Sequence, residues 1–401
     1  MIILVLNCGS SSLKYQLLNM KSENDYSLMA KGLVERIGLE VGDITHSVTG
    51  KDKYKLHIPI PNHTEGIKEV LSLLTDKEHG VIDSLSNIDA VGHRVAHGGE
   101  YFSSSAKIDS KVIEGIEKCC ELAPLHNPAN LLGIKAVSSL MPSVPQVAVF
   151  DTSFHQTMPD YAYMYAIPYS YYETDKIRRY GFHGTSHKFV AHKGAELAGI
   201  DIEKSKIITC HLGNGGSVTA IENGKSIDTS MGFTPMEGVV MGTRCGNIDP
   251  GIITYLMDKY KMSSADISNV LNKKSGFLGV SCVSSDTRDV EAAAEKGDKK
   301  AILALEMFRY GVLKYIGAYS AAMNGVDLII FTGGIGENDS VSREWISKRL
   351  SYLGVKFNSA INDGLRGKDM ILTEEDSKVK VAVISTNEEL VIARDTMRLA
   401  K

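Results

Sequence analysis

The chain has 401 residues, of which 43% are hydrophobic and 23% are charged. This balance is typical of a globular protein and excludes an intrinsically disordered one, and the length predicts two domains. The formal charge of −4 and the pI near 6.3 indicate neither a nucleic-acid partner nor a membrane-surface partner. An anionic substrate would therefore have to be bound by a few local cations.

Three features of the sequence predict a cytoplasmic protein without a membrane anchor. The apolar run Met1–Leu6 is short, has no basic segment before it and leads into Gly and Ser, which predicts a buried strand rather than a signal peptide. No stretch approaches the roughly 18 apolar residues that span a membrane. The cysteines show neither a CxxC pair nor a metal-ligand spacing, which is typical of reduced thiols. They are Cys8, Cys119, Cys120, Cys210, Cys245 and Cys282.

Mixed strands and helices predict an α/β architecture. Short β-rich runs predict strands at Ile2–Leu6, Leu13–Leu18, Ala90–Val95, Val147–Phe150, Lys206–His211, Ser217–Glu222, Leu328–Phe331 and Val379–Ile384. Longer helical stretches lie at Thr64–Leu74, Asp109–Leu122, His187–Ala198, Ala301–Met323 and Glu388–Leu399.

The sequence contains a weak internal repeat. Ile3–Ser12 and Ile207–Ser217 each read as a strand that leads into a Gly/Ser turn, and an apolar strand follows each of them. The repeat predicts two similar lobes that each offer a polar turn to a shared cleft. Chance similarity is the alternative, since Gly/Ser turns are common between strands.

No Pro-rich or Gly/Ser-rich linker marks the border between the lobes. We place the border at Phe150/Asp151, where a strand runs into a polar segment. The first lobe then covers residues 1–150 together with a C-terminal helix at about 386–401, and the second covers residues 151–385.

Three glycine-containing turns are candidates for phosphate or nucleotide contacts. In Asn7–Lys14, glycine would let the backbone approach an anion, while N–H groups, hydroxyls and a lysine would supply donors. This turn does not match the Walker pattern, and a plain hairpin turn is its alternative. His211–Ser217 and Phe331–Asn338 are richer in glycine, and the latter follows an apolar strand, as nucleotide-cradling turns do. Its spacing is not that of the Rossmann motif, but three such turns together favour a nucleotide site.

Cationic side chains in glycine-rich surroundings are candidates for anion binding. Arg94 stands shortly before a Gly pair, Arg244 lies between glycines, and Arg288 follows an Asp-Thr pair. A guanidinium group binds carboxylate or phosphate with two hydrogen bonds, and a surface ion pair is the alternative for any single arginine. His183 and His187 lie in a Gly/aromatic turn without zinc-ligand spacing. This favours a neutral or cationic histidine that donates to a transferred phosphoryl group, with a structural histidine as the alternative.

Acidic side chains complete the candidate site. Asp151 follows a strand, where α/β enzymes often present functional groups, and an N-cap or Asx turn is its alternative. The last helix opens with either of two capping boxes. The frame Thr386-x-x-Glu389 would leave Glu388 free, and the frame Ser385-x-x-Glu388 would occupy it.

Further motifs run in order along essentially the whole chain: LNCGSSSLKY, GHRVAHGGEYF, APLHNP, FDTSFHQTMP, RYGFHGTSHKFV, HLGNGGS, MGFTPMEGVVMGTRCGNIDPG, SDTRDV, FTGGIGEN and TNEEL. In these motifs the sequence resembles the acetate kinase family. The resemblance implies two ribonuclease-H-like lobes of the actin-like ATPase type around a central nucleotide cleft. The first lobe would serve the acyl substrate and phosphate, and the second would serve nucleotide binding and dimerisation. It also implies a cytoplasmic homodimer that interconverts ATP and acetate with ADP and acetyl phosphate, using Mg²⁺, with Mn²⁺ as an alternative ion.

The matching motif positions imply roles for individual residues. The magnesium positions are Asn7 and Glu388, with Glu389 left open as the alternative carboxylate. The catalytic positions are Arg94 as the substrate arginine, Asp151 as the acid, and His183 and Arg244 as transition-state stabilisers. The pocket for the acyl methyl group comprises Ala96, Leu125, Phe182 and Pro235. The ATP positions are Lys14, His211, Leu212, Gly213, Asn214, Gly215, Asp286, Thr287, Arg288, Gly334, Ile335, Gly336, Glu337 and Asn338, and Ser10 and Ser12 are further donors of the phosphate loop.

The chemistry of the implied reaction limits what these residues have to do. Acetate is ionised near neutral pH, so its carboxylate needs no general base. The obstacle is repulsion between two anions, which Arg94, Arg244, His183 and Mg²⁺ would offset. We therefore interpret Asp151 as holding Mg²⁺, its water or an arginine, although the family assigns it proton transfer.

Two rival functions remain at this stage. A propionate or butyrate kinase would share the motifs, and Ala96, where the family more often has valine, predicts a larger acyl pocket. A non-catalytic nucleotide-binding protein of the actin-like type would be expected to lack the cations, yet Arg94, His183 and Arg244 are all present.

Overall fold

The computed structural model describes residues 1–401 and divides into two units. Unit 1 comprises Met1–Ser153 and Asn387–Lys401, and unit 2 comprises Phe154–Thr386. Each unit contains one β-sheet together with helices, which confirms the α/β class.

The strands and helices have the following bounds. The strands are β1 (Ile2–Cys8), β2 (Ser12–Met20), β3 (Tyr26–Glu35), β4 (Gly42–Val48), β5 (Tyr54–Ile58), β6 (Ala90–Val95), β7 (Ala106–Lys107), β8 (Gln146–Phe150), β9 (Lys206–Leu212), β10 (Gly216–Glu222), β11 (Lys225–Thr229), β12 (Leu328–Thr332), β13 (Met370–Ile371) and β14 (Lys380–Val383). The α-helices are α1 (His63–Leu74), α2 (Ser110–Lys118), α3 (Asn127–Leu140), α4 (Asp160–Tyr163), α5 (Ser170–Asp175), α6 (Gly184–Ala198), α7 (Pro250–Tyr260), α8 (Ser264–Lys273), α9 (Gly276–Ser281), α10 (Thr287–Glu295), α11 (Lys299–Ala322), α12 (Gly333–Asn338), α13 (Ser340–Ser347), α14 (Ser359–Asn362) and α15 (Glu388–Leu399). Short 3₁₀ helices lie at Leu85–Asn87, Ser153–Thr157, Ile202–Lys204 and Lys348–Leu353.

Six strands of the eight-stranded sheet follow the same order as the six strands of the other sheet. The sheet of unit 1 runs β5-β4-β3-β2-β1-β6-β8-β7, and that of unit 2 runs β11-β10-β9-β12-β14-β13. In each sheet the first strand of a hairpin, β1 or β9, pairs antiparallel with the next strand and parallel with a later one, β6 or β12. The internal repeat in the sequence is therefore a repeat of topology, and both predicted hairpins are confirmed.

Helix α15, at the end of the chain, packs on the sheet of unit 1 against β1, β6 and β8. Gly92 of β6 permits this close approach, because a Cβ atom there would lie 2.3 Å from Thr396 Oγ1 and 2.6 Å from Ile392 Cγ2. Ile392 and Thr396 are buried against this strand. The contact fixes where the first residue of the helix, Glu388, stands relative to the carboxyl end of β6.

Helix α11 forms the centre of the core of unit 2. Its residues Phe308, Val312 and Ile316 are at most 1% exposed and join the same cluster as Phe277 of α9 and Phe331 of β12. Strand β12 is buried along its whole length, as expected for a central strand of a sheet covered on both faces.

One predicted helix is shorter than expected. The stretch Asp109–Leu122 was expected to be helical throughout, but α2 ends at Lys118 and Asp109 is its N-cap. The N–H of Cys119 is shared by the carbonyls of Gly115 and Ile116, so the last turn tightens and the helix stops.

All six cysteines are free thiols, as expected. Cys8, Cys119 and Cys210 are buried, and Cys282 is exposed. Burial raises the pKa of the Cys8 thiol to about 12, so this group stays protonated at neutral pH. None of the helices is both long and apolar enough to cross a membrane.

Candidate active site

Unit 1 contains a largely buried Arg–Asp pair. Arg94 Nε donates to Asp151 Oδ1 at 3.1 Å, and Nη2 donates to Oδ2 at 2.5 Å. Arg94 Nη1 donates to Asn7 Oδ1 at 3.2 Å. The three residues meet because β1, β6 and β8 are neighbouring parallel strands, and their carboxyl ends share one edge of the sheet. The bidentate contact fixes the plane of the guanidinium group.

The surroundings keep Arg94 charged. Burial lowers its pKa, but the carboxylates of Asp151, Glu388 and Glu389 outweigh burial, so the net shift of the pKa is upward. The cation therefore persists at every pH at which the protein is folded.

Helix α15 begins beside this pair, and its first turn differs from the prediction. Its N-cap is Asn387, whose Oδ1 accepts from the N–H of Leu390 at 3.0 Å. Both predicted capping boxes are therefore wrong, because neither Ser385 nor Thr386 caps the helix. Asparagine serves as well as serine or threonine at this position, and the sequence patterns did not weigh it.

Glu388 is half-buried, and its carboxylate is electrostatically crowded. Burial raises the pKa of Glu388 above its usual range, and the carboxylate of Asp151 raises it further. Arg94 and Lys14 oppose this shift. Lys14 stands directly opposite Asn7 in the β1–β2 ladder, so both side chains leave the same face of the sheet.

These oxygen donors fit a hard divalent cation. Asn7 and Glu388 offer an amide and a carboxylate oxygen, the ligand types that Mg²⁺ prefers. Burial and the carboxylate of Asp151 raise the pKa of Glu388, so a cation beside Glu388 would favour its ionised form. The chain has no cluster of three or more His, Cys, Asp or Glu side chains that could hold a metal by itself. Mg²⁺ held by one or two protein groups would complete its shell with water and substrate phosphate.

The first glycine turn is a tight hairpin. The N–H of Gly9 donates to the carbonyl of Ser12 at 2.8 Å, and His63 Nε2 contacts the carbonyl of Gly9 at 2.6 Å. Ser10 is exposed at the tip, and Ser12 begins β2. These two hydrogen bonds hold the turn, and the hydroxyls of Ser10 and Ser11 are both on exposed residues.

The residues assigned to the acyl pocket differ in exposure. Ala96 is 3% exposed and Leu125 is 67% exposed in unit 1. In unit 2, Phe182 is buried against Met231 and Met241. The carbonyl of Pro235 accepts from Arg244 Nη1 at 2.9 Å.

His183 lies at a strained position in unit 2. It is the N-cap of α6 with φ of +56°, in the left-handed region, which costs roughly 1–2 kcal/mol for a residue with a Cβ. Its Nδ1 lies 2.9 Å from Ser217 Oγ, and its ring stacks on His211 with centroids 4.2 Å apart. Such strain persists only where the surrounding structure enforces it, and it marks His183 as a candidate functional group.

Arg244 is half-buried and forms no ion pair. Its Nη1 donates to the Pro235 carbonyl, and burial lowers its pKa. Gly215 brings Arg244 and His183 together: a Cβ atom there would lie 3.4 Å from Arg244 Nη1 and 3.6 Å from His183 Cε1. A desolvated guanidinium group without a carboxylate is a receptor for an anion.

Unit 2 also contains a cavity of about 640 Å³. Its lining includes Gly213, Asn214, Asp286, Thr287, Arg288, Gly334, Ile335 and Asn338, all of which were predicted as ATP contacts, together with Ser285, Glu291, Asp339 and Arg366, which were not. Arg288 lowers the pKa of Asp286 to about 2, so the mouth of the cavity keeps both charges at neutral pH. The volume suits a drug-sized or nucleotide-sized ligand.

Comparison with known proteins identifies the family. The model of the acetokinase family matches residues 2–394. The chain is 58% identical to the acetate kinase of Caldanaerobacter subterraneus subsp. tengcongensis over 400 residues, covering 100% of this chain and 99% of that protein. It is 56% identical to acetate kinase 2 of Clostridium perfringens, covering 99% of each. The chain belongs to the acetokinase family.

Solved structures of this family have the same fold. The crystal structure of Porphyromonas gingivalis acetate kinase matches with a TM-score of 0.96 at 49% identity, covering 100% of both chains. A propionate kinase from Francisella tularensis matches with a TM-score of 0.91 at 42% identity, covering 99% of both chains.

Other residues predicted as ATP contacts in this member of the acetokinase family do not line the cavity. His211 and Leu212 are buried, Gly215 lies by Arg244, and Gly336 is buried in α12. The carboxylate of Glu337 accepts from the N–H groups of Gly333 and Thr386 at 3.0 and 3.1 Å, so it holds the backbone.

Sequence reasoning missed the four additional lining residues for two reasons. Ser285 is the first residue of the SDTRDV motif but was not assigned a contact, Glu291 follows that motif directly, and Asp339 follows the predicted glycine turn by one residue. A wider window around each motif would have found Glu291 and Asp339. Arg366 stands far along the chain between two glycines, the same signal that singled out Arg244.

The loop that carries Arg244 is held by the N-terminus of α9. Phe277 N–H donates to the Met241 carbonyl at 2.8 Å, and Leu278 N–H donates to the Gly242 carbonyl at 3.0 Å. Gly276 makes this possible, because it has φ of +64° and a Cβ atom there would lie 2.1 Å from Met241 O. The helix thus binds the loop through its unpaired N–H groups.

Replacing Gly276 with alanine is therefore expected to lower kcat roughly 100-fold, because a displacement of about 1 Å in a positioned catalytic group has that effect. Gly297→Ala is the matched control, since Gly297 also has a positive φ but nothing lies within 4 Å of its Cβ position. Steady-state kinetics with both substrates measures the effect. An unchanged kcat in Gly276→Ala would contradict the role of this loop.

Proposed function

We propose that this chain transfers the γ-phosphoryl group of ATP to acetate, giving acetyl phosphate and ADP in a reversible reaction. The observation that carries the proposal is Arg244, a half-buried guanidinium group without a carboxylate partner that shares the Gly215 turn with His183. Arg244 and His183 together suit a phosphoryl group whose negative charge increases in the transition state of its transfer. Membership of the acetokinase family supports acetate as the acceptor.

Arg94 would bind the carboxylate that attacks. Asp151 holds two of its nitrogen atoms, which orients the remaining Nη1 toward Asn7. An oriented cation offsets repulsion between the acetate carboxylate and the phosphates, and the acetate oxygen then attacks phosphorus in line with the departing ADP oxygen. Because acetate is already ionised, no residue has to remove a proton from it.

His183 and Arg244 would stabilise the phosphoryl group in flight. Charge is spread over its three equatorial oxygens in the transition state, and donors fixed in place stabilise that charge without reorganisation. The 640 Å³ cavity of unit 2 would hold the nucleoside part of ATP, with Gly334 and Ile335 close to the ligand.

Mg²⁺ would be held by Asn7 and Glu388. When bound, the ion neutralises phosphate charge. The protein's own contribution is to keep two oxygen donors close to Arg94 and Lys14, on the first turn of α15 and at the end of β1. Since Glu388 is crowded by Asp151, the carboxylate is better accommodated beside a cation.

The test is turnover by the purified chain with acetate and Mg-ATP. ADP release is followed in a coupled assay, and acetyl phosphate is trapped as a hydroxamate in the same samples. We expect equal amounts of both products. ATP hydrolysis without trapped acyl phosphate, or no turnover with any short acid, would contradict the proposal.

Propionate is the alternative acceptor, and the reason to test it is the buried Ala96, where the family more often has valine. The smaller side chain leaves room for one more methylene, worth about 1–3 kcal/mol. We expect Ala96→Val to lower kcat/KM for propionate roughly 10-fold or more while that for acetate changes little. If the ratio of kcat/KM for propionate to kcat/KM for acetate were the same in the wild-type protein and in Ala96→Val, a role for position 96 in acyl specificity would be contradicted.

The family resemblance also supports a homodimer, and we place its contact on α7. This helix has no buried residue although its sequence contains Ile252, Ile253, Tyr255, Leu256 and Met257. Tyr255 is 58% exposed and Tyr260 is 61% exposed, and an apolar surface of this kind marks an association site.

Light scattering should give twice the chain mass of 43.6 kDa. Tyr255→Glu should shift it toward the monomer, and a dimer unaffected by this change would contradict the placement.

A further inference from the structure

A line of hydrogen bonds runs from the core of unit 2 to His183. His183 Nδ1 lies 2.9 Å from Ser217 Oγ, and Ser217 Oγ lies 2.7 Å from His187 Nε2. His187 Nδ1 lies 2.7 Å from Thr209 Oγ1. His187, Ser217 and Thr209 are all 0% exposed, so no solvent can substitute for a missing partner. Each group therefore constrains the proton of the next.

His187 is neutral in this environment. Burial lowers its pKa well below the ordinary value, and His155 and His211 lower it further. A neutral imidazole has one N–H and one acceptor nitrogen. The hydroxyl of Ser217 has one proton, so it can donate to only one of the two imidazoles that flank it.

Three proton arrangements make all three hydrogen bonds. In the first, Thr209 donates to His187 Nδ1, His187 Nε2–H donates to Ser217 Oγ, and Ser217 donates to His183 Nδ1. In the second, every donor in the line is reversed, so that His183 Nδ1–H donates to Ser217 Oγ and His187 Nδ1–H donates to Thr209 Oγ1. In the third, His183 Nδ1–H and His187 Nε2–H both donate to Ser217 Oγ, and the buried proton of Ser217 has no acceptor, which costs about 1–3 kcal/mol.

Thr209 decides between the first and the second arrangement. Its hydroxyl makes its one hydrogen bond to His187 Nδ1. In the second arrangement that oxygen accepts, so its own proton is buried without an acceptor, which costs about 1–3 kcal/mol. In the first arrangement every N–H and O–H of the line has an acceptor. The first arrangement is therefore the stable one.

We propose that Thr209, His187 and Ser217 are positioning residues that hold His183 as the neutral tautomer with its proton on Nε2. Ser217 donates to Nδ1, so the proton of the His183 ring is on Nε2, from which it would donate to a phosphoryl oxygen during transfer. The inference rests on the proposed role of His183 in phosphoryl transfer. The sequence left open whether His183 is neutral or cationic. The inference makes His183 neutral and places its single N–H on Nε2.

The same line opposes protonation of His183. An imidazolium would carry a proton on Nδ1, so Ser217 would either turn its proton toward His187 or leave that proton without an acceptor, as in the two disfavoured arrangements. Three groups face the His183 ring. Arg244 is cationic and lies near the same turn, so it opposes a second positive charge, His187 is neutral, and His211 stacks on the ring. A fixed neutral donor also needs no proton exchange with solvent between turnovers.

The test is the ¹⁵N chemical shift of His183 in the full protein labelled at histidine. Its signals are assigned by their loss in His183→Gln. We expect a pyrrole-like Nε2 that carries hydrogen and a pyridine-like Nδ1 without one, unchanged across neutral pH. A proton on Nδ1, or an imidazolium at neutral pH, would overturn the proposal, and both are measured in the wild-type protein.

Kinetics of two Ser217 variants gives a second readout. Ser217→Ala should shift the His183 tautomer and lower kcat roughly 10-fold, the effect of one hydrogen bond, while KM for ATP changes little. Ser217→Thr keeps the hydroxyl and should keep the wild-type tautomer. Wild-type kcat and tautomer in a folded Ser217→Ala would overturn the inference alone. Wild-type activity in His183→Ala would instead overturn the proposed role of His183, so the two failures are distinguishable.

Discussion

Replacing Arg94 with alanine is expected to lower kcat/KM for acetate by about 10³-fold or more, the range found for arginines that stabilise phosphoryl transfer. Arg94 is the cation of unit 1 that two strand ends fix from both sides, through Asp151 and Asn7. Alanine removes both the charge that attracts the carboxylate and the orientation that the Asp151 contact provides. Arg94→Lys should recover only part of the loss, because an ammonium cannot make the bidentate contact.

The same change should destabilise the fold. Asp151 is 1% exposed, so Arg94→Ala leaves a buried carboxylate without its partner, which costs about 3–5 kcal/mol. The double variant Arg94→Met/Asp151→Leu removes both charges and should recover most of this free energy of unfolding without recovering activity. Denaturant unfolding of unit 1 and steady-state kinetics separate the two effects. A stable, active Arg94→Ala would show that the pair serves neither role.

The strands could be predicted from the sequence where burial on both faces leaves a short apolar run. Strands such as β8 and β12 are short apolar runs because both faces of a central strand are covered, and the runs end where polar residues begin. The repeated hairpins were found because a Gly/Ser turn after an apolar strand is a local signal. From strand order it then follows that Asn7, Arg94 and Asp151 share one edge of a sheet.

Partners of side chains were not predictable in the same way. Asp151 was expected to hold a metal, its water or an arginine, and only the structure shows its contact with Arg94. The cap of α15 was misplaced because Asn387 competes with Ser385 and Thr386, and sequence patterns do not fix which side chain reaches the free N–H groups.

The hydrogen-bond line behind His183 was beyond sequence reasoning for a similar reason. Thr209 on β9 and Ser217 on β10 meet α6 only after the hairpin and the helix pack together. Serine and threonine on strands have no local pattern that distinguishes such a role. His187 was noticed in the sequence, but its role depends on which hydroxyls surround it.

The Asp151→Asn variant tests whether the Asp151 carboxylate acts by its negative charge and its contact with Arg94 or by transferring a proton. Asparagine keeps the shape, yet its amide nitrogen faces the donors of Arg94, so one of the two hydrogen bonds is lost and the guanidinium is no longer fixed. We expect kcat to fall roughly 10²–10³-fold, as for loss of a preorganised contact. The Mg²⁺ concentration for half-maximal rate should also rise, because one negative charge leaves the group around Glu388.

Relocating the charge is the decisive control. Asn7 contacts the same guanidinium through Nη1, so the double variant Asp151→Asn/Asn7→Asp restores the charge of the group on a neighbouring strand. If Asp151 acts by placing negative charge and holding Arg94, the double variant should bring the Mg²⁺ concentration for half-maximal rate part of the way back to the wild-type value. The carboxylate at position 7 should then bind Arg94 from the other side. If Asp151 transfers a proton, the double variant should stay as inactive as Asp151→Asn. In that case the single variant should lose one limb of the pH–rate profile with its Mg²⁺ response unchanged.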